Sequence, residues 1–319
     1  MNEFQIVKKY LKPLINKNLS ALNLSDDISY DSNNGLSISI DTYVHGVHFI
    51  STDPKKFLKK IIRASLSDLY CKGIKPKTYY LSFGLNKSFL NNLWLSKVKR
   101  ILIAEQKKFN IFLSGGDTTY SSKFFASIVV LGYSKKKPVL RSTCNYNDDI
   151  YVSGNIGDSY IGLKILKKKY SFGKMNNFFI NKYYEPNLAY KFSPFLNLFA
   201  TSSIDISDGL AQDLSHICNK SKIGAFINLN FLPISNECKN LIKKNKVSLK
   251  NFFTKGDDYQ ILFTSNLSNR EKIKNISKKT NTKISRIGRI TNNNKILFTY
   301  NDKEFCLNDK KIGYTHTFK

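Results

Sequence analysis

SSIDISDGLAQDL, residues 202–214, reads as a strand that passes through a glycine-marked turn into a helix. Asp205 and Asp208 fall in the turn, and Asp213 lies just inside the helix, which continues as GLAQDLSHICNK over 209–220. A strand feeding a helix is a building unit of layered α/β and α+β architectures, and element ends are where binding residues are usually displayed. Three carboxylates so close together stand out in a chain with 51 Lys and Arg against 23 Asp and Glu, a formal net charge of +28. An aspartate before a helix also serves as an N-cap, so Asp208-Gly209 fits a plain cap as well as a ligand.

The same alternation extends in both directions. Phe4, Val7, Leu11, Leu14 and Ile15 keep helical spacing, whereas LSISID at 36–41 puts Leu36, Ile38 and Ile40 on one face and Ser37, Ser39 and Asp41 on the other. Asp53-Pro54 opens a helix lined by Leu58, Ile61, Ile62, Leu66 and Leu69 that stops at Gly73. Strands are expected at 78–85, 109–115 and 124–133, with a long helix over 90–108 between the first two. KKKP at 135–138 punctuates the chain. Beyond it come strands at IYVSG, AFINLNFL, YQILFTS and KILFTY and a helix at GDSYIGLKILKKK. The expectation is a two-domain protein of mixed class, α+β (α/β), with domains at 1–137 and 138–319.

Composition narrows the function. With 41% hydrophobic and 13% aromatic residues, a chain of 319 residues buries a substantial core. No apolar run reaches the roughly 18 residues that span a bilayer, and the N-terminal stretch lacks the form of a secretory signal. A cytoplasmic protein with no membrane association is expected. Cys71, Cys144, Cys218, Cys238 and Cys306 are scattered, without a C-x-x-C pair, which favours reduced thiols over a disulfide framework or a zinc site. Only six of the 51 basic residues are arginines, and the lysines are spread throughout. Abundant Asn, Ile, Phe and Tyr accompany them, the residues that A/T-rich codons encode. No nucleic-acid-binding motif is present, so no nucleic-acid partner is expected.

The remaining acids sit mostly at element ends: Asp26-Asp27 before a strand, Asp41 ending it, Asp117 after SGG, and Asp257-Asp258 before another strand. Asp68 lies near the end of a helix, facing the negative end of the macrodipole, where a carboxylate needs a cation. Taken singly, Asp26-Asp27, Gly115-Gly116-Asp117 and Asp257-Asp258 also suit ordinary loops and turns, and His45 and His48 suit surface or packing positions.

Their order along the chain is more specific. SDD at 25–27, SIDTYVHGVHF at 39–49, SLSDLYCKGIKP at 65–76, SGGDT at 114–118, LRS at 140–142, YVSGNIGDSYIGL at 151–163, SIDISDGLAQDL at 203–214, KGDDYQILF at 255–263 and GYTHTF at 313–318 together resemble the thiamine-monophosphate kinase family. The resemblance implies the aminoimidazole-ribonucleotide-synthetase-like fold: an N-terminal ATP- and metal-binding domain whose sheet forms a dimer-spanning barrel, and a C-terminal domain completing the active site. It implies a homodimer that moves the γ-phosphoryl of ATP onto thiamine monophosphate with several Mg2+ ions. On the matching positions, Asp27, Ser39, Asp41, Asp68, Asp117, Asp205 and Asp208 resemble metal ligands. Gly116, Arg141 and Ser207 resemble ATP contacts, and His48, Asp257 and Tyr314 resemble contacts to thiamine monophosphate. The chain departs from the family pattern at Ile40, where Thr is usual, at Ser65 in place of Asn, and at Asp257 in place of Glu.

Phosphoryl transfer is catalysed chiefly by positioning and charge neutralisation, so carboxylates that gather cations around phosphates suit it. No catalytic side chain is required, because a phosphate monoester is already largely dianionic at pH 7. No G-x-x-x-x-G-K-[ST] and no H-R-D with D-F-G is present, so neither P-loop nor protein-kinase chemistry is supported. Among relatives with similar carboxylates, a selenophosphate-forming enzyme is disfavoured because no Cys precedes Cys71, and a carbamoyl-adenylating one because the chain ends GYTHTFK. An amide-activating synthetase is the remaining neighbour.

Overall fold

The computed structural model describes residues 2–305, 307 and 313–316; Cys306 and the end of the GYTHTF motif, Thr317 and Phe318, lie outside the described residues. The chain opens with α1 (Glu3–Ile6), capped reciprocally by Asn2 and Gln5 and prolonged by π and 3-10 turns to Ile15. The expected helical spacing is present, but Leu11 and Leu14 are exposed rather than packed. β1 (Ser29–Asp31), β2 (Leu36–Val44), α2 (Pro54–Tyr70), β3 (Pro76–Leu85), α3 (Asn92–Phe109), β4 (Phe112–Tyr120) and β5 (Phe125–Tyr133) follow. Their strands form one sheet in the order β1-β2-β5-β3-β4, with only β3 and β4 parallel.

A second run contains β6 (Asp149–Ser153), α4 (Asp158–Leu166), α5 (Asn176–Tyr184), β7 (Ala200–Asp205), α6 (Leu210–Ser221), β8 (Gly224–Asn228), α7 (Asn236–Lys243) and α8 (Asn251–Thr254). It ends with β9 (Ile261–Ser265), α9 (Arg270–Thr280), β10 (Ile284–Thr291), β11 (Ile296–Tyr300) and β12 (Lys303–Glu304). These strands build a seven-stranded sheet in the order β12-β11-β8-β10-β6-β9-β7. The fold is therefore mixed α/β. Among the described residues, no helix is long and apolar enough to cross a membrane.

α2 organises the first sheet. Asp53 caps it by accepting from the Lys55 amide, and Pro54 enters where a missing N–H costs nothing. Phe57, Leu58, Ile61, Leu66 and Leu69 are fully buried, and so are the polar Lys60, Arg63, Ser65 and Ser67, because structure covers this helix on nearly every side. A separate apolar cluster joins Cys71 to Val139, Tyr151, Phe192 and Phe263, packing the end of α2 against elements of the second sheet.

Several details differ from the sequence reading, among them AFINLNFL, which is a strand only as far as Asn228 and turns into a 3-10 helix at Leu229–Phe231. The third strand does not span 109–115: α3 runs through Phe109, and β4 continues to Tyr120 straight through Gly115 and Gly116 instead of turning there. Gly116 has room for no side chain, since a Cβ would stand 1.8 Å from the Leu81 carbonyl oxygen of β3. In β2 the alternation holds but the polar face is the inner one. Ser37 and Ser39 are buried, whereas Ile40 is 68% exposed.

Candidate active site

The turn after β7 gathers the site. Asp205 ends the strand, Gly209 precedes α6, and the Asp213 carboxylate folds back to accept from the Asp208 and Gly209 amides at 3.2 and 3.0 Å. Asp213 thus holds the turn that leads into the helix by pairing the amides of the two residues before it. The capping alternative for Asp208 does not hold, because its side chain turns instead to Gln212 Nε2, 2.8 Å away. Residues 256–259 pair with this turn through the Asp257 amide to the Ser207 carbonyl and the Tyr259 amide to the Ile206 carbonyl, both at 2.8 Å. Gly256 permits that approach, since a Cβ there would lie 1.9 Å from the Ser207 carbonyl oxygen. Asp257 and Tyr259 follow in left-handed conformation at φ 74° and 52°, an unfavourable backbone held by the surrounding contacts.

Opposite this turn stand β2 and α2. Ser39 donates to Asp68, Tyr43 donates to Asp41 at 3.0 Å, and Ser65 shares a 2.9 Å hydrogen bond with the Tyr43 hydroxyl. Ser65, one of the departures from the family pattern, therefore supports Asp41 through Tyr43. Ser67 on α2 donates to Asp205 at 2.6 Å, joining the two halves of the site. Asp27, Asp68 and Asp205 each bring a carboxylate oxygen to within 4.8 Å of the other two, and Asp208, Asp213 and His216 do the same.

The electrostatics divide the carboxylates. Burial raises the Asp68 carboxyl well above its usual range, with Asp41 and Asp205 adding repulsion. Asp41 is raised by burial despite its hydrogen bonds. Burial and Asp27 push Asp205 up to about 7, and burial brings Asp208 to about 7 against the Gln212 hydrogen bond. Asp27 goes the other way: burial opposes its charge, but the Arg141 guanidinium and the Lys72 ammonium hold it well below the ordinary carboxylate range.

Asp41, Asp68, Asp205, Asp208, Ser207 and Arg141 all line one cavity of about 530 Å³, together with His48, Asp257 and Tyr314. Ser39 reaches it through Asp68, and Asp27 through Arg141. Gly116 and Asp117 do not. They lie on the exposed strand β4, and the pairing Asp41 to Ile128 to Leu81 to Gly116 puts them three strands from Asp41, about 14 Å at ordinary strand spacing.

Several residues in or directly behind the cavity wall escape the sequence reading. Lys60 on α2 donates to Asp257 at 2.7 Å, and its ammonium lies 3.9 Å from the Tyr183 ring centroid. Burial lowers the Lys60 pKa, and Asp257 opposes that. The two ends of the described chain also meet here: the Glu3 amide donates to the His316 carbonyl at 3.3 Å, Gly313 donates to Thr254, and Gln212 donates to the Tyr314 carbonyl at 2.8 Å. Helical spacing alone gave no sign that residue 3 belongs to the site.

Residues 24–134 match the family model "AIR synthase related protein, N-terminal domain". The chain is 35% identical to the thiamine-monophosphate kinase of Buchnera aphidicola subsp. Acyrthosiphon pisum, over 98% of each chain. It is 32% identical to that of Haemophilus influenzae, over 91% of this chain and 89% of that one. Among solved structures it superposes on AaThiL complexed with AMPPCP and TMP with a TM-score of 0.83 at 26% identity, covering 99% of this chain and 97% of the other.

Proposed function

The chain belongs to the thiamine-monophosphate kinase family, and from that premise we propose how its residues divide the reaction. The protein transfers the γ-phosphoryl group of ATP to the phosphate of thiamine monophosphate, giving ADP and thiamine diphosphate. The observation that carries the assignment of roles is the convergence of Asp41, Asp68, Asp205 and Asp208 on one cavity. Among the described residues, salt bridges reach Asp26 and Asp27 but none of these four.

Uncompensated carboxylates on separate segments fit a hard, oxygen-seeking cation such as Mg2+. Asp27, Ser39, Asp41, Asp68, Asp117, Asp205 and Asp208 would hold several such ions. Bound there, Mg2+ supplies neutralisation of charge on the transferred and leaving phosphates. The protein's own groups do the rest. Arg141, partly exposed beside Asp27, presents a fork suited to a phosphate, and Ser207 offers a hydroxyl next to Asp205. Val44 donates its amide to His48 Nδ1 at 3.0 Å, so the neutral ring carries its proton on Nε2, which faces His316 Nε2 at 3.3 Å here and would turn from it to donate to the acceptor phosphate. Asp257, held by Lys60 and Tyr259, offers its other oxygen to the thiamine moiety. The acceptor phosphate is its own nucleophile in a direct in-line transfer, so no protein nucleophile is needed.

Residues 1–137 form the ATP- and metal-binding and dimerising part in this reading, and 138–319 complete the site in the cytoplasm. The outer face of the first sheet supports a homodimer with a sheet barrel shared between copies. That face leaves Ile40, Tyr80, Phe112 and Tyr133 exposed, and apolar strand faces of this kind are usually covered. β4 would then lie against the second copy, and Gly116 and Asp117 would serve the site completed between chains.

Asp208→Asn tests the site. It keeps a side-chain oxygen for Gln212, so the metal-free protein should melt no lower than wild type, while formation of thiamine diphosphate should fall roughly 10²–10³-fold. The extra stabilisation by Mg-ATP should shrink as well. A variant that retains activity, or gains as much stability from Mg-ATP as wild type, removes Asp208 from the site.

A further inference from the structure

Lys72 lies just past the end of α2, and its side chain is fully buried, at 0% exposure. Its backbone is pinned on both sides, with its amide donating to the Leu69 carbonyl and its carbonyl accepting from Val139, both at 3.1 Å. The ammonium meets Asp26 Oδ1 at 2.7 Å, Asp27 Oδ2 at 2.5 Å and the Ser203 carbonyl oxygen at 2.5 Å. A lysine has three N–H donors, so this one is saturated and has none left for solvent or a phosphate.

Arg141 also contacts Asp27, but it is 20% exposed and lines the cavity, where it is free to engage a ligand. The cavity carboxylates Asp41, Asp68, Asp205 and Asp208 have no comparable partner among the described residues. Among the carboxylates read as metal ligands, the Asp27 corner thus has a buried ammonium on its inner side, and Asp41, Asp68, Asp205 and Asp208 do not. A lone ammonium in such a place would be strongly unfavourable, and so would the adjacent carboxylates without it.

We propose that Lys72 is a resident counter-ion of the carboxylate site, taking the place of one divalent cation at the Asp26–Asp27 corner and keeping that corner assembled when no metal is bound. The proposal rests on reading the carboxylates as the metal site. Within it, Lys72 is a positioning residue: it touches neither substrate and fixes the oxygens of Asp27 from behind. The metal demand of the site then falls on the cavity side.

Lys72→Met removes the charge and keeps the length of the stem. The test compares wild type, Lys72→Met and Lys72→Met/Asp26→Asn by thermal melting in EDTA and across a Mg2+ titration, with Mn2+ stoichiometry by electron paramagnetic resonance, both with and without a non-hydrolysable ATP analogue. In EDTA, Lys72→Met should melt roughly 5–10 °C below wild type. Mg2+ should close at least half of that gap, and the variant should bind one more Mn2+ per chain than wild type. The double variant should recover much of the loss in EDTA without metal, since Asp26, the carboxylate that loses its cation, is then neutral while Asp27 keeps Arg141. A deficit that is the same in EDTA and in Mg2+, a variant that fails to fold even when prepared with Mg2+, or an unchanged Mn2+ count each overturns the proposal. Wild type that binds no Mn2+ with the nucleotide analogue present would overturn the metal-site reading along with it, a result distinct from the three before.

Discussion

His48, His316 and Tyr314 form a relay of hydrogen bonds at the mouth of the cavity. The backbone amide of Val44 fixes the proton of His48 on Nε2, which lies 3.3 Å from His316 Nε2; His316 Nδ1 is then 3.4 Å from the Tyr314 hydroxyl. The Tyr314 and His316 rings meet edge to face at 4.9 Å, and Tyr314 stays 48% exposed at the cavity edge. The thiazolium ring of thiamine is a permanent cation, and an aromatic face holds one by about 0.5–2 kcal/mol. Tyr314→Ala should therefore raise the KM for thiamine monophosphate by a factor of roughly 2–30 and leave ATP affinity unchanged. Steady-state kinetics with each substrate varied will check this, and equal weakening of both would make the tail purely structural. Tyr314 was legible because its short motif falls in order behind eight others. Lys60 and Lys72 were not, since in a chain this rich in lysine nothing in composition or spacing separates a buried ammonium from a solvated one. Asp213 shows the converse, an acid that looks like a ligand and whose carboxylate closes the start of its own helix.

α2 carries much of the site, so its anchoring matters to function. Arg63 grips Glu105 of α3 through two hydrogen bonds, at 2.8 and 2.9 Å, with both side chains at or below 5% exposure, and Arg63 also donates to the Pro186 carbonyl at 3.2 Å. Removing one partner of such a pair strands a buried charge, typically at a cost of about 3–5 kcal/mol. Glu105→Ala should lower the melting temperature by roughly 5–10 °C, whereas Arg63→Met/Glu105→Leu should restore most of it. A Glu105→Ala melt within a degree or two of wild type would show the pair to be dispensable. The main helices and the strands with clean alternation were readable from spacing because burial on one face imposes it. β10 was not: a bulge between Arg286 and Gly288 separates its buried Ile287 and Ile290 by three positions, a helix-like interval. β4 was misplaced because two glycines suggest a turn, although here they allow two strands to approach closely.

At the scale of the molecule, the first sheet covers its inner face with α2 and leaves the other open, with β4 exposed along its whole length. If two copies share their sites across that face, Asp117 of one acts with Asp208 of the other. Mixing Asp117→Asn and Asp208→Asn chains, each inactive alone, should then recover about one quarter of wild-type activity. Half of the randomly paired dimers contain one of each chain and therefore one intact site of two. No recovery after denaturation and joint refolding would put Asp117 and Asp208 to work within the same chain. The wall built from Glu3, Gly313, Tyr314 and His316 has a further consequence, in the order of folding. Glu3 and His316 are 313 positions apart, so bringing them together is among the most entropically demanding closures the chain makes. It depends on both sheets already being in place. The cavity should be the last part of the native state to form and the first to open, so that mild denaturant silences the enzyme while its sheets are still intact.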